Sequence, residues 1–463
     1  MTGSLAPPPI QAPAEPRRRL PFGFGSRFFL ALLPGLLWLI PAWRWPGAVA
    51  GLWLWDALIV AAWLADLLRL PAPGQLRLTR SWDGPLFLAH GAQVTLTLQN
   101  TSRHAVRARL VDVVPPGLAD DVARLELEAA PGASASAQYG VVCRVRGDLP
   151  AGDVYLRYQS PLGLAERWAA APLAQAVRVL PDLPRARSEA LIVIRHKQVE
   201  VEQRRRQLRG LGREFETLRE YRQGDDVRDI CWTATARRHH LVTRTYTAER
   251  SQTVWLVVDA GRLSRTLVEQ PGTTLRLTKL DHAGNAALTL AVLASQCGDK
   301  VGLLAYGRTV QKCIAPNRGP GHLRTLVEAI AGVRAEALEA QHGRAARTLL
   351  KAQSRRSLVV WITDFAETPG TPDVIEHAVQ LSQRHLVVFA ALSQPDLGML
   401  AAQTPKTVEE MYRHTAALEI VQRREIMLRS LRQQGILALD LYPGNLSTSL
   451  LNEYLRVKDR SLL

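Results

Sequence analysis

At 463 residues the chain is too long for a single core, and a prior of about 100–200 residues per domain points to two or three domains. Hydrophobic residues make up 47% and charged residues 22%, which excludes an intrinsically disordered chain and a polytopic membrane protein. A formal charge of +16 favours anionic partners, but the arginines are not interleaved with stacking aromatics and no zinc-finger or RNP-like spacing occurs, so nucleic acid is not expected.

Residues 1–27 read as a flexible basic tail, with Pro and Ala early and Arg17, Arg18, Arg19 and Arg27 after them. Residues 28–70 predict a two-helix transmembrane hairpin. Its first run, Phe28 to Trp43, is uncharged, and its second, Gly47 to Leu68, is broken only by Asp56 and Asp66. The first run is shorter than the roughly 20 residues a span requires, and Pro34 and Pro41 weaken it, which leaves a shallow re-entrant hairpin open. Asp56 would cost roughly 2.5–3.5 kcal/mol at a helix centre, so it is expected to face the partner helix. Ala48-Val49-Ala50 fits a signal-peptide cleavage site, but Arg44 and two Trp residues separate it from the first run. Arginines before the first run, and Arg69, Arg77 and Arg80 after the second, predict that both ends are cytoplasmic. Trp43, Trp45, Trp53, Trp55 and Trp63 suit interfacial anchoring.

Residues 75–182 read as a β-rich, sandwich-like domain. Val94 to Leu98 and Val141 to Val145 alternate in polarity, and Asn100-Thr101-Ser102, Pro115-Pro116-Gly117 and Pro131-Gly132 punctuate them as turns. Ser160-Pro161-Leu162-Gly163-Leu164 reads as a turn entering a final strand. No triad or ligand spacing appears here, so the module is expected to position or bind. Cys143, Cys231, Cys297 and Cys313 lie far apart without a CxxC pair and read as free thiols.

Residues 185–252 form a basic connector, either a solvated face or a contact with an anionic leaflet worth about 1 kcal/mol per basic residue. It leads into Gly212-Arg213-Glu214-Phe215, then Leu218-Arg219-Glu220-Tyr221, then Gly224-Asp225-Asp226-Val227-Arg228-Asp229-Ile230-Cys231-Trp232, then Ala236-Arg237 and Glu249. Carboxylates alternating with arginines and aromatic rings predict a buried or half-buried ion network that is structural or docks a partner. Asp225 and Asp226 could instead hold a metal or act as acid and base, but Arg219, Arg222 and Arg228 would neutralise them. The pattern resembles the defining motif of a bacterial family, domain of unknown function 58, from about residue 20 onwards.

From residue 253 to 463 apolar strands alternate with amphipathic helices, the pattern of a doubly wound α/β sheet, whose ligands sit beyond the carboxyl ends of the strands. Strands are predicted at Val254–Asp259, Val301–Tyr306, Leu358–Thr363, His385–Ala391 and Ile436–Leu441. Asp259 and Asp364 mark the carboxyl edge. This order resembles the von Willebrand factor A domain, as the family resemblance also implies, and in that fold these positions hold magnesium. The first loop here, Asp259-Ala260-Gly261-Arg262-Leu263, lacks both serines of that motif, with Ser264 one residue late, and Gln341-His342-Gly343-Arg344 offers no threonine. Metal binding at Asp259 and Asp364 is therefore expected to be absent or degenerate. His239-His240 lacks ligand companions, and Gly298-Asp299-Lys300 is a turn without phosphate-loop spacing.

Together these readings predict a non-enzymatic interaction protein anchored in the bacterial inner membrane, and the resemblance implies that it acts as an adaptor. The resemblance implies a partner, an AAA+ ATPase of the MoxR type, in assembly or remodelling of envelope complexes. The alternatives are a metal-dependent hydrolase and a metal-dependent ligand receptor.

Overall fold

The computed structural model describes residues 13–119, 121–204, 214–221, 230–247, 251–269, 275–364 and 371–460. The chain divides into two compact units, one ending at Leu180 and the other starting at Pro181.

The first unit opens on strand β1 (Arg17–Phe24), so this basic stretch, expected in a flexible tail, is ordered by pairing. A helical stretch follows from helix α1 (Ser26–Leu32) through a 3₁₀ segment at Leu33–Trp38 to Ala42. Pro34 lacks an amide proton, which explains the change of helix type at that point. Helix α2 (Val49–Arg69) is regular, and the span Pro46–Arg69 is the one helix among the described residues long and apolar enough to cross a membrane. Almost none of it is covered by protein, unlike the core helix of a soluble domain. The Ser26–Ala42 stretch is apolar but shorter. The two segments touch: Trp55 donates its indole N–H to Ala31 O at 2.9 Å, and Asp56 faces Gly35, 3.3 Å from where a Cβ there would stand. Trp43, Trp45 and Trp53 are exposed, whereas Trp63 donates to Gly23 O at 3.2 Å.

The two larger sheets of this unit are antiparallel. Strands β2 (Leu76–Trp82), β3 (Gly91–Asn100), β4 (Val106–Asp112), β5 (Ala123–Ala129), β6 (Ser134–Val142), β7 (Val154–Gln159) and β8 (Ala165–Ala171) form sheets ordered β2-β3-β6 and β1-β8-β7-β4-β5. Alternate residues of both sheets, among them Leu76, Leu78, Leu96, Leu98, Leu110, Val154 and Leu156, meet in one core. Gln175–Leu180 adds a further strand in a small third sheet, so the Ser160–Leu164 turn does not enter the last strand.

The alternation of β2 brings Arg80 inward. It is fully buried, donates Nε to Asp112 Oδ2 at 3.0 Å and also bonds Asp112 through Nη2, while Tyr139 donates its hydroxyl to the same carboxylate at 2.6 Å. In the folded unit Arg80 is thus a core ion-pair member and not a surface charge beside the membrane segment.

The 160–165 turn holds both ends of the apolar segments. Asp66, 1% exposed, accepts the Ser160 hydroxyl and the backbone N–H groups of Leu164 (3.1 Å) and Ala165 (2.9 Å). Arg167 caps the end of α2 by donating to the carbonyls of Leu70 (2.7 Å) and Pro71 (3.1 Å). At the other end, Gly25 N–H donates to Leu164 O at 2.8 Å; a Cβ there would lie 2.1 Å from Gly163 O, so only glycine permits the approach.

The second unit begins with helix α3 (Leu183–Arg204), and then β9 (Glu214–Glu220), α4 (Trp232–Arg238) and β10 (Val242–Thr247). The region read as a connector is therefore built of helix and paired strand, β9 being antiparallel to β10. The main sheet follows with β11 (Thr253–Asp259), helix α5 (Lys279–Gln296), β12 (Lys300–Tyr306), β13 (Val310–Asn317), α6 (Pro320–Ala331), α7 (His342–Ala352), β14 (Leu358–Thr363), α8 (Thr371–Ser382) and β15 (Leu386–Leu392). It closes with α9 (Pro395–Ala402), α10 (Val408–Gln433), β16 (Leu437–Leu441) and α11 (Leu446–Asp459). Strand order is β13-β12-β11-β14-β15-β16, all parallel except β13. Strands β11 and β14 are buried almost throughout because helices cover both faces. The chain leaves β11 towards β12 on one side and later returns to β14 on the other, so the crevice of the sheet opens between the carboxyl ends of β11 and β14.

Candidate functional site

Asp259 and Asp364 flank that crevice, and neither is free. Asp259 ends β11 at 5% exposure; its Oδ1 accepts the Gly261 N–H at 2.7 Å and its Oδ2 accepts the hydroxyl of Thr363, the last residue of β14, at 2.6 Å. Asp364, the next residue, bonds the ammonium of Lys279 through Oδ2, and Arg424 of α10 lies 3.5 Å from its Oδ1. Arg424 also reaches Asp440 at 2.9 Å.

Lys279 is fully buried at the first position of α5. The N-terminus of a helix disfavours a cation. The Thr278 cap accepts the Asp281 N–H at 3.1 Å and Asp281 in turn accepts the Thr278 hydroxyl at 2.6 Å, so the helix start is fixed without help from Lys279. Burial lowers the Lys279 pKa, and the charge of Asp364 works against that fall.

A divalent cation does not fit these residues. A hard cation requires several oxygen ligands; here an ammonium sits on Asp364, both oxygens of Asp259 accept protein protons, and Ser264 donates its hydroxyl to Asp259 O at 2.8 Å. Among the described residues, no three of His, Cys, Asp and Glu converge to hold a metal.

Where a threonine loop was sought, His342 opens α7. Its Nδ1 lies 2.8 Å from the Tyr306 hydroxyl, which also accepts the Trp361 indole N–H at 2.7 Å. The imidazole is thereby tied into a packed aromatic cluster.

Burial raises the Asp259 carboxyl to about 6, against the Thr363 and Gly261 hydrogen bonds that favour the ionised form. A carboxyl with a folded pKa above its unfolded value of about 3.9 binds its proton more readily when folded, so its contribution to stability falls as pH rises from about 4 to 6. His342 acts in the opposite sense: burial lowers it to about 4, so stability falls as pH drops through that window. Asp259→Asn is therefore expected to remove one of two opposed slopes and to stabilise the fold near neutral pH by at most about 2–3 kcal/mol. Thermal unfolding of variant and wild type across the range is the measurement, and parallel profiles would show that Asp259 titrates normally.

The motif residues divide. Glu214, Phe215 and Arg219 lie on β9, opposite Thr247, Tyr246 and Thr243 of β10. Tyr221 is half-buried and donates its N–H to Leu241 O at 2.9 Å. Ile230 and Cys231 are buried, but Trp232 is 63% exposed and Arg237 is exposed, so these two stand outside any buried network. Gly224, Asp225, Asp226, Arg228 and Glu249 lie outside the described residues. His240 Nε2 lies 3.5 Å from Glu220.

Residues 217–433, from the middle of β9 to the end of α10, match the family described as "Protein of unknown function DUF58". This stretch, just under half of the chain, resembles a DUF58 domain. Uncharacterized protein Rv1480 of Mycobacterium tuberculosis (strain ATCC 25618 / H37Rv) is 32% identical over 163 residues, covering 34% of this chain and 48% of that protein. Uncharacterized protein Mb1516 of Mycobacterium bovis matches equally, so the chain spans about half the length of these curated relatives. Among solved structures, an uncharacterized membrane spanning protein from Vibrio fischeri aligns over 45% of this chain and 98% of its own, at 13% identity and a TM-score of 0.19. Proximal thread matrix protein 1 from the mussel byssus aligns over 43% of this chain and 45% of its own, at 10% identity and a TM-score of 0.27.

Sequence reasoning about this region missed Lys279, Thr363 and Arg424. The available signal was a lysine in the first turn of a helix that is rich in Ala and Leu, whose 18 residues include 15 that are buried in the structure; a buried cation needs a buried anion.

Proposed function

We propose that the protein is a membrane-anchored, non-enzymatic interaction protein whose second unit is a von Willebrand A-like domain with an internally neutralised carboxyl edge. The observation that carries this reading is the pairing of Asp364 with Lys279 and Arg424, which, together with the hydrogen bonds that Asp259 accepts, engages both crevice carboxylates among the described residues. The apolar Pro46–Arg69 helix supports membrane attachment, and pairing with the Ser26–Ala42 stretch is consistent with a hairpin that leaves both units in the cytoplasm.

The family resemblance supplies the partner class, a MoxR-type AAA+ ATPase, with the chain acting as adaptor on envelope complexes. Exposed Trp232 beside β9 and β10 offers an anchor for docking, since tryptophan is enriched among residues that dominate interface energetics. The test is co-purification of the full chain with a MoxR-type ATPase encoded in the same organism. Capture is expected, and Trp232→Ala is expected to weaken it about tenfold or more, the loss typical of a hot-spot residue. Failure of capture with and without nucleotide would overturn the reading.

A further inference from the structure

The outward face of the five-stranded sheet β1-β8-β7-β4-β5 carries a groove of about 930 Å³, within the range of small-ligand sites. Strand register explains its lining. In one row across the sheet Trp168 of β8 stands opposite Arg157 of β7, which stands opposite Arg109 of β4. In the next row Tyr155 stands opposite Val111, and Val111 opposite Arg124 of β5. Arg19 of β1 and Glu126 of β5 also line it. All these rows share the face opposite the core, so four guanidinium groups and two aromatic rings collect where a sheet would ordinarily carry mixed polar residues.

The charges do not cancel. Arg109 pairs with Glu126 at 2.7 Å, and Arg157 pairs with Glu166 at 2.7 Å while lying 5.6 Å from the centre of the Trp168 ring. Arg19 and Arg124 form no ion pair among the described residues. Two cationic forks are thus uncompensated beside an apolar floor of Tyr155, Val111 and Trp168, of which Tyr155 and Trp168 are more than 40% exposed. A ligand matching both halves bears an anionic, bidentate oxygen group on an apolar body.

We propose that this groove binds an anionic phospholipid, drawn in by the uncompensated charges of Arg19 and Arg124 on its two outer strands, with its apolar part lying against Trp168 and Tyr155. The choice of a lipid rests on the membrane reading above. Strand β1, which supplies Arg19, runs directly into the apolar segment that starts at Ser26, and the turn before β8, which supplies Trp168, grips α2 through Asp66. The groove therefore belongs to the same unit as the candidate membrane helix.

The test is native mass spectrometry of the full chain released from detergent with mixed phosphatidylglycerol and phosphatidylcholine. Wild type is expected to retain phosphatidylglycerol preferentially, and R19Q/R124Q to lose about 30-fold in its affinity at two basic residues' worth of attraction. R107Q, on the same sheet but paired with Glu128 and outside the groove, is expected to behave as wild type and so to report on general surface charge. Equal retention of the two lipids, or retention unchanged in R19Q/R124Q, would overturn the proposal. Displacement of the lipid by millimolar inorganic phosphate would also overturn it, by showing a site for a soluble anion. A chain that purifies without detergent would defeat the membrane reading itself, whereas a detergent-requiring chain with no lipid preference would defeat only the groove.

Discussion

Lys279→Met is expected to destabilise the second unit by about 3–5 kcal/mol, the cost of leaving a buried carboxylate without its main partner. Asp364 is 6% exposed and would keep only Arg424, which is 3.5 Å away and shared with Asp440. Burial of a lone charge is far more costly than loss of a pair, so Lys279→Met combined with Asp364→Leu is expected to recover most of the loss. The same experiment separates an internal cation from a metal site. If Lys279 supplies the positive charge at this edge, magnesium or a chelator will leave the wild-type melting temperature unchanged. A magnesium-dependent rise in the wild type would sink the assignment.

Asp66→Ala is expected to cost about 3–5 kcal/mol in the first unit, because three donors that converge on one buried carboxylate lose their acceptor together. These are the Ser160 hydroxyl and the N–H groups of Leu164 and Ala165, of which Ser160 and Ala165 are buried and Leu164 is half-buried. Ser160→Ala removes one of the three and is expected to cost about 1 kcal/mol. The measurement is denaturant unfolding in detergent, read alongside proteolysis of the 160–165 turn. If Asp66→Ala unfolds like wild type and the turn stays protected, the carboxylate does not secure the helix.

The sheet strands of the second unit were legible because parallel strands covered on both faces are continuous apolar runs. Predicted Leu358–Thr363 coincides with the observed strand, and the others shift by one residue at their ends. Strand β13 was missed: Val310–Asn317 is an exposed antiparallel edge with no apolar run, so its period gives little signal. Strand β1 was hidden for a different reason. Three consecutive arginines suggest a solvated tail, and only pairing with β8, about 150 residues further along, makes them a strand. In the site, Asp259 and Asp364 were found from their place at strand ends, whereas Lys279, distant in sequence, looked like the start of an ordinary helix. Arg424 was masked by the i,i+4 pairs around it on α10, such as Arg423 with Glu419. Asp66 looked like a flaw in an apolar run, because nothing local reveals that its partners come from a turn in another part of the unit.

The Asp66 contact also fixes an order of events during synthesis. Ser160 follows Asp66 by 94 residues, so at about 5–20 residues per second the helix emerges roughly 5–20 s before its anchor exists. For that interval β1 has no partner strand either, since β8 ends at Ala171. The nascent chain must carry an ionisable group at the end of an apolar helix and an unpaired edge strand in front of it until the β-rich part is complete. Ribosome-bound chains ending before residue 160 should therefore remain sensitive to protease at both places, and chains extended well past Ala171 should lose that sensitivity at both together.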